Sequence, residues 1–248
     1  MTSTTRRSTG ATGDESAQAA QIPADTPLST TPLTQYTMLI LIGNQKGGAG
    51  KSTLTLLLAN YLAQQHDRRV TVLDMDHQQS LYAKAEKAKI LENEQLYEII
   101  SADLSHFPAM QRLQERAPDE ILLVDLPGKM DEDGLVPIFA AADSVICPFA
   151  FDEFSVDSTL LFAMVIGRIN SRAPLVFVPN RIKNTVKYET RTEVEKVLRV
   201  FGTVAPGLPD RIDFQRVNSL HTPSILYPVI LPLLDLIYDQ YIAKQVSP

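Results

Sequence analysis

From Met38 onward, short continuous apolar runs alternate with stretches in which apolar residues return every three or four positions. The runs 38–42, 70–73, 121–124, 144–149 and 175–178 are too unbroken for a sheet with one wet face. They read as strands buried on both sides, as a parallel sheet demands. The intervening stretches predict helices over 52–63, 81–89, 107–116, 154–169 and 188–200. In the first of these, Leu54, Leu57, Leu58, Tyr61 and Leu62 follow the i, i+3, i+4, i+7, i+8 spacing of one helix face. Strand and helix alternate throughout. The expected fold class is therefore α/β, a three-layer, mostly parallel twisted sheet with helices on both faces. The last apolar segment, 229–243, carries Asp235 and Asp239 where a membrane-surface helix would carry Lys and Arg, which predicts docking on the core.

Ahead of Met38 the pattern vanishes. Residues 1–36 are rich in Thr, Ser, Ala, Pro and Gly and have too few large apolar side chains to offset the entropy of ordering. They read as a disordered tail, which leaves 37–248 as a single domain. A tail of that composition does not supply a helix-turn-helix, so operator-specific repression is not expected.

Composition narrows the function classes. Lys and Arg number 23 against 29 Asp and Glu, a net charge of -6, so the chain is no polycation, and any DNA contact has to come from a local basic patch. Cys147 is the only cysteine, which excludes an intrachain disulfide or a cysteine-held cluster within one subunit. Its apolar setting in 144–149 reads as a buried core thiol. No apolar stretch approaches the ~18–20 residues of a membrane span, and no signal-peptide core stands near the start. The expected location is cytoplasmic, with no membrane partner.

Candidate chemistry centres on Gly43-Asn44-Gln45-Lys46-Gly47-Gly48-Ala49-Gly50-Lys51-Ser52-Thr53, between the first strand and the first helix. That is the strand, loop, helix setting of a P-loop. Gly47, Gly48, Ala49 and Gly50 turn backbone N–H groups toward phosphate oxygens, and the helix N-terminus adds its dipole. Lys51 neutralises the β- and γ-phosphates, the Ser52 hydroxyl is a Mg²⁺ ligand, and Thr53 completes the loop. The expected ligands are ATP and Mg²⁺.

The ordinary pattern has glycine where Gln45 stands, and Lys46 is an additional lysine. The run Asn-Gln-Lys-Gly-Gly-Ala-Gly-Lys-Ser-Thr resembles the deviant Walker A of the ParA/MinD family. The resemblance implies a homodimer formed on ATP, in which Lys46 acts catalytically in the partner subunit's site beside Lys51. In Val72-Leu73-Asp74-Met75-Asp76-His77, two carboxylates at i, i+2 on a strand end point to one side, so both could face the pocket. By the resemblance, Asp76 positions the attacking water and Asp74 sits near the metal's water shell. His77 stands where the family has proline and reads as a surface residue. Asp125, ending the run 121–124, resembles the Walker B aspartate that holds Mg²⁺ through water, and Gly128 the glycine that senses the γ-phosphate. Asn180 resembles the family's adenine-reading asparagine, although asparagine also favours turns. Pro209 falls where the family packs a proline loop against the base.

Relatives of this kind bind non-specific DNA as ATP dimers and release it when a partner stimulates hydrolysis. The resemblance implies an ATPase that positions or partitions plasmid, chromosomal or protein cargo, associated with the nucleoid, with a ParB-like or cargo-adaptor protein as activator. Residues 181–199 carry a local excess of three positive charges, including Arg181, Lys183 and Lys187, and Arg211 and Arg216 follow. These are the candidate DNA contacts as a set, although each alone reads better as a solvated helix face. Two alternatives stand beside this reading. One is a MinD-like membrane-surface ATPase, which would want a basic amphipathic C-terminus. The other is a P-loop ligase or synthase for a small molecule, which would not need Lys46.

Overall fold

The structure, a computed structural model, describes residues 37–76, 78–90, 94–116, 119–128 and 133–243. The tail over 1–36 and His77 lie outside them. Seven strands lie among the described residues: β1 (Met38–Ile42), β2 (Arg69–Asp74), β3 (Glu98–Ser101), β4 (Glu120–Asp125), β5 (Ser144–Phe149), β6 (Leu175–Pro179) and β7 (Thr203–Val204). They form one sheet in the order β3-β2-β4-β1-β5-β6-β7, and every pairing is parallel. The helices are α1 (Lys51–His66), α2 (Ser80–Ile90), α3 (Phe107–Arg116), α4 (Val136–Ala141), α5 (Glu153–Ile169), α6 (Arg191–Leu198) and α7 (Tyr227–Ile237).

The two faces of the sheet can be read from single strands. In β1, Met38, Ile40 and Ile42 join one core with residues of α1, α2 and α7, while Leu39 and Leu41 join another with residues of α4, α5 and α6. Period-two alternation therefore survives inside an unbroken apolar run, because both faces are covered. Connections leaving β1 and β2 run toward one edge of the sheet, and those leaving β5 and β6 run toward the other. That reversal opens a crevice at the carboxyl ends of the central strands, where open α/β sheets bind ligands.

Three expectations need correction. First, β3, β7 and α4 are additional elements. β3 is a four-residue edge strand with only Ile99 buried, β7 spans two residues, and α4 six, all too short for a periodic signal. Second, α1 is not buried on one face alone: Thr55, Leu56, Ala59 and Asn60 are buried with the expected stripe. The sheet lies on one side of α1, and α7 covers another.

Third, the helical run Ser224–Ile242, ending in a π-helical turn over Tyr238–Ile242, has 19 residues at mean hydropathy 1.3, long and apolar enough for a membrane span. The packing gives it another role. Leu226, Ile230, Leu233, Leu234, Ile237 and Ile242 enter the core beside α1, and Tyr61 donates a 2.5 Å hydrogen bond to Asp235. Docking on the core is what the structure shows for this segment.

Candidate functional site

The loop after β1 is held before it reaches its glycines. Asn44, fully buried, donates from Nδ2 to the Pro148 carbonyl at 2.9 Å and to Thr159 Oγ1 of α5 at 2.8 Å. Its Oδ1 accepts the Lys46 N–H at 3.0 Å. Sequence reasoning passed over Asn44, and a polar side chain directly after an apolar strand was the available signal. Gly48 and Gly50 then take φ of 74° and 96°, the left-handed region that favours glycine, and Gly50 leads directly into α1. At Gly50 the space is closed as well, because a Cβ there would collide with Asn180 Nδ2.

A cleft of about 310 Å³ opens over this loop, lined by Gly47, Gly48, Gly50, Lys51, Ser52 and Thr53 together with Asp76, Gly128 and Arg181. Lys51 is buried. A Cβ built on Gly128 would stand 3.8 Å from Lys51 Nζ and 3.7 Å from Gly47 Cα, so the chain leaving β4 lies against the loop.

Of the two carboxylates expected to face this cleft, only Asp76 lines it. Asp74 is turned inward: Oδ2 accepts the N–H groups of Leu81 at 2.9 Å and Tyr82 at 3.0 Å, and Oδ1 accepts that of Asp76 at 3.2 Å. Free N–H groups at the start of α2 draw it there, so Asp74 works as a helix cap. Burial pushes its carboxyl above the usual range, against those hydrogen bonds.

Asp125 pairs in register with Asp74 and is fully buried, and neither of its oxygens finds a hydrogen-bond partner among the described residues. Burial raises its pKa to about 7; the Ser52 hydroxyl and the Lys51 ammonium oppose the rise, while the Asp74 and Asp76 carboxylates add to it. An orphaned buried carboxylate is costly unless a cation or donor meets it. Ser52 and Asp125 thus form a donor set that fits Mg²⁺, a hard ion that takes oxygen ligands.

A second cleft of about 310 Å³ shares Gly50, Thr53 and Arg181 with the first and adds Asn180, Leu208, Pro209 and Phe214 among its walls. Asn180 donates from Nδ2 to the Ala49 carbonyl at 2.8 Å and accepts the Arg181 N–H at Oδ1. Arg181 itself sits at φ 56°, a left-handed position rare for a side-chain-bearing residue and frequent at functional sites. The Pro209 segment is fixed by a bridge between Ile182 and Pro209 and by the Leu208 N–H on the Pro179 carbonyl at 2.8 Å. Asn180 and Pro209 are thereby brought to one cleft, and Arg181, expected among the DNA contacts, faces both.

This geometry coincides with a sequence match. The profile of the CobQ/CobB/MinD/ParA nucleotide binding domain matches residues 40–223. The chain belongs to that family. No curated protein sequence matches the chain. Solved structures of the ParA/MinD group do resemble it. A putative plasmid partition protein of Borrelia burgdorferi B31, bound to AMPPNP, superposes at TM-score 0.63 with 20% identity, covering 82% of this chain and 99% of its own. MinD of Pyrococcus horikoshii OT3, complexed with Mg-ADP, gives 0.63 at 16% identity over 86% and 100%. An ATP complex of a Cyanothece McdA variant gives 0.63 at 15% identity over 82% and 95%. At such identities the likeness is one of fold.

The remaining basic candidates divide. Arg211 reaches Asp213 at 3.3 Å, and Arg216 reaches the same residue at 3.8 Å. Arg191 and Arg199 both pair with Glu195. Lys183, Lys187 and Lys196 are exposed.

Proposed function

We propose that this chain is an ATP-dependent dimerising switch that hydrolyses ATP, holds non-specific DNA in its ATP state, and positions or partitions a plasmid, chromosomal or protein cargo. The observation that carries the nucleotide part is the pair of adjoining clefts, one lined by Lys51, Ser52, Asp76 and Gly128 and the other by Asn180 and Pro209, with Gly50, Thr53 and Arg181 common to both. In this reading a triphosphate occupies the first and a base the second.

In this reading the backbone N–H groups of Gly47 to Ser52 hold phosphate oxygens, and Lys51 balances their charge. Ser52 and Asp125 would hold Mg²⁺, which would supply positive charge to offset that of the phosphates. Asp76, whose carboxylate remains at the cleft, orients water for in-line attack. Gly128 is close enough to the loop to register the loss of the γ-phosphate. Lys46 is not part of its own cleft lining, which supports its action in a second subunit. Neighbours crystallised with AMPPNP, Mg-ADP and ATP support the choice of ligand. Partition proteins and a MinC:MinD complex among the neighbours support cargo positioning and a partner, here a ParB-like or cargo-adaptor activator. A cytoplasmic, nucleoid-associated protein follows from this reading.

The test is co-sedimentation with plasmid DNA in ADP, ATP and a non-hydrolysable analogue. DNA binding is expected with ATP and the analogue only, lost in Lys51→Ala and prolonged in Asp76→Ala. Equal binding in all nucleotide states, or ATP turnover that depends on a metabolite and ignores DNA and protein, would overturn the reading.

A further inference from the structure

We propose that Phe154 is a positioning residue for Lys46, holding the lysine clear of its own phosphate cleft and ready for the site of a second copy. The inference rests on the reading that Lys46 acts across a dimer. Lys46 Nζ stands 5.5 Å from the centroid of the Phe154 ring, within the range of a cation–π contact. Phe154 lies in the first turn of α5 and is 72% exposed, whereas Phe201, the next most exposed phenylalanine among the described residues, is 37% exposed. The ring therefore contributes little to the core and presents an open face to Lys46.

The separation of the two side chains is built in. Asn44 ties the backbone at Lys46 to Pro148 and to Thr159 of α5. The start of α5 is fixed by Asp152 Oδ1, which accepts the Ser155 N–H at 3.0 Å, and by Ser155 Oγ, which accepts the Ala150 N–H at 3.0 Å. These bonds tie the start of the loop to the start of α5 and so set the Phe154 ring beside Lys46. Lysine is rich in rotamers, and ordering such a chain on association costs affinity. A tip already resting on an aromatic face has less freedom to lose, so the ring pre-organises the lysine for docking.

The experiment measures the dimer dissociation constant by sedimentation equilibrium, with the full chain, Mg²⁺ and a non-hydrolysable ATP analogue. The proteins are wild type, Phe154→Leu, Phe154→Tyr, Lys46→Ala and the double variant Lys46→Ala with Phe154→Leu. Phe154→Leu is expected to weaken the dimer roughly two- to five-fold, the size of an exposed cation–π contact. Phe154→Tyr restores the wild-type value, since it keeps an aromatic face, and Phe154→Leu adds nothing once Lys46 is alanine.

Each contrary outcome is decisive. A Phe154→Leu effect that persists undiminished in the Lys46→Ala background would make Phe154 a plain contact residue and overturn the proposal. A tighter dimer in Phe154→Leu would overturn it too, since the ring would then be competing for the lysine. A Lys46→Ala protein that dimerises and turns over like wild type would overturn the trans-acting lysine itself, and Phe154's role with it. A defective Lys46→Ala beside a normal Phe154→Leu would overturn Phe154 alone.

Discussion

Asp125 sets the electrostatics of the site, because burial lifts its pKa to about 7 against the pull of the Ser52 hydroxyl and the Lys51 ammonium. A raised acid pKa means the folded chain binds more protons than the unfolded chain between the ordinary value of 3.8 and about 7. This group's contribution to stability therefore falls as pH rises through that window. The Tm of the nucleotide-free protein should carry that downward component in a pH series, and Asp125→Asn should remove it. The same variant should lose the Mg²⁺-dependent part of nucleotide affinity, read by titrating Mg²⁺ against a fluorescent ATP analogue. A variant whose Tm falls as steeply as wild type from about pH 4 to about pH 7 would refute the assignment.

The contrast with Asp74 shows how far residues alone could be read. Both aspartates end apolar strands, and the loop-strand-aspartate order was legible along with Lys51, Ser52 and Gly128. That Asp74 would turn to cap α2 was not legible, because its partners are backbone N–H groups seven and eight residues away that converge only in the folded chain. Asn180 likewise shows an asparagine in a turn, but not the hydrogen bond it makes to Ala49, 131 residues earlier.

At the scale of elements, the five long strands and the principal helices were legible because each carries enough period-two or period-3.6 signal, while β3, β7 and α4 fell below that length. The seam between α1 and the final helix was hidden for another reason, since it pairs distant residues. His66 at the end of α1 stacks on Tyr238 with ring centroids 3.4 Å apart and meets the edge of Tyr61 at 4.8 Å. Its Nε2 is buried with no partner among the described residues. Burial lowers the His66 pKa below its usual 6.5, with Arg68 adding to the shift and Asp235 and Asp239 opposing it. A depressed histidine contributes stability that is complete above the unfolded pKa and is lost as pH falls through the folded one. Acidification below about pH 6.5 should therefore loosen this seam. Hydrogen exchange of α7 amides should accelerate on acidification in wild type and much less in His66→Phe, which keeps an aromatic stack and cannot take a proton. Identical acid responses in the two proteins would show that His66 does not govern the seam.

For the molecule as a whole, the net charge of -6 leaves DNA affinity to whichever cations remain unpaired. Within 181–216, Arg211 and Arg216 share Asp213, Arg191 and Arg199 share Glu195, and Arg181 faces the nucleotide clefts, so Lys183, Lys187 and Lys196 are the other exposed cations of this basic segment, with no ion pair among the described residues. Replacing those three lysines by glutamine should weaken ATP-state DNA binding by about tenfold or more at moderate salt. The slope of log affinity against log salt should flatten, as expected when phosphate contacts are removed. Nucleotide affinity should stay unchanged, since none of the three lines either nucleotide cleft. An unaltered salt slope would place the DNA surface elsewhere.

The central claim is that nucleotide drives one copy to complete the site of another. Sedimentation velocity tests it most directly, at one protein concentration without nucleotide, with Mg-ADP, and with Mg²⁺ and a non-hydrolysable ATP analogue. A monomer is expected in the first two conditions and a dimer in the third, with the dimer lost in Lys51→Ala and weakened in Lys46→Ala. A chain that binds the analogue to saturation and still sediments as a monomer would contradict the account.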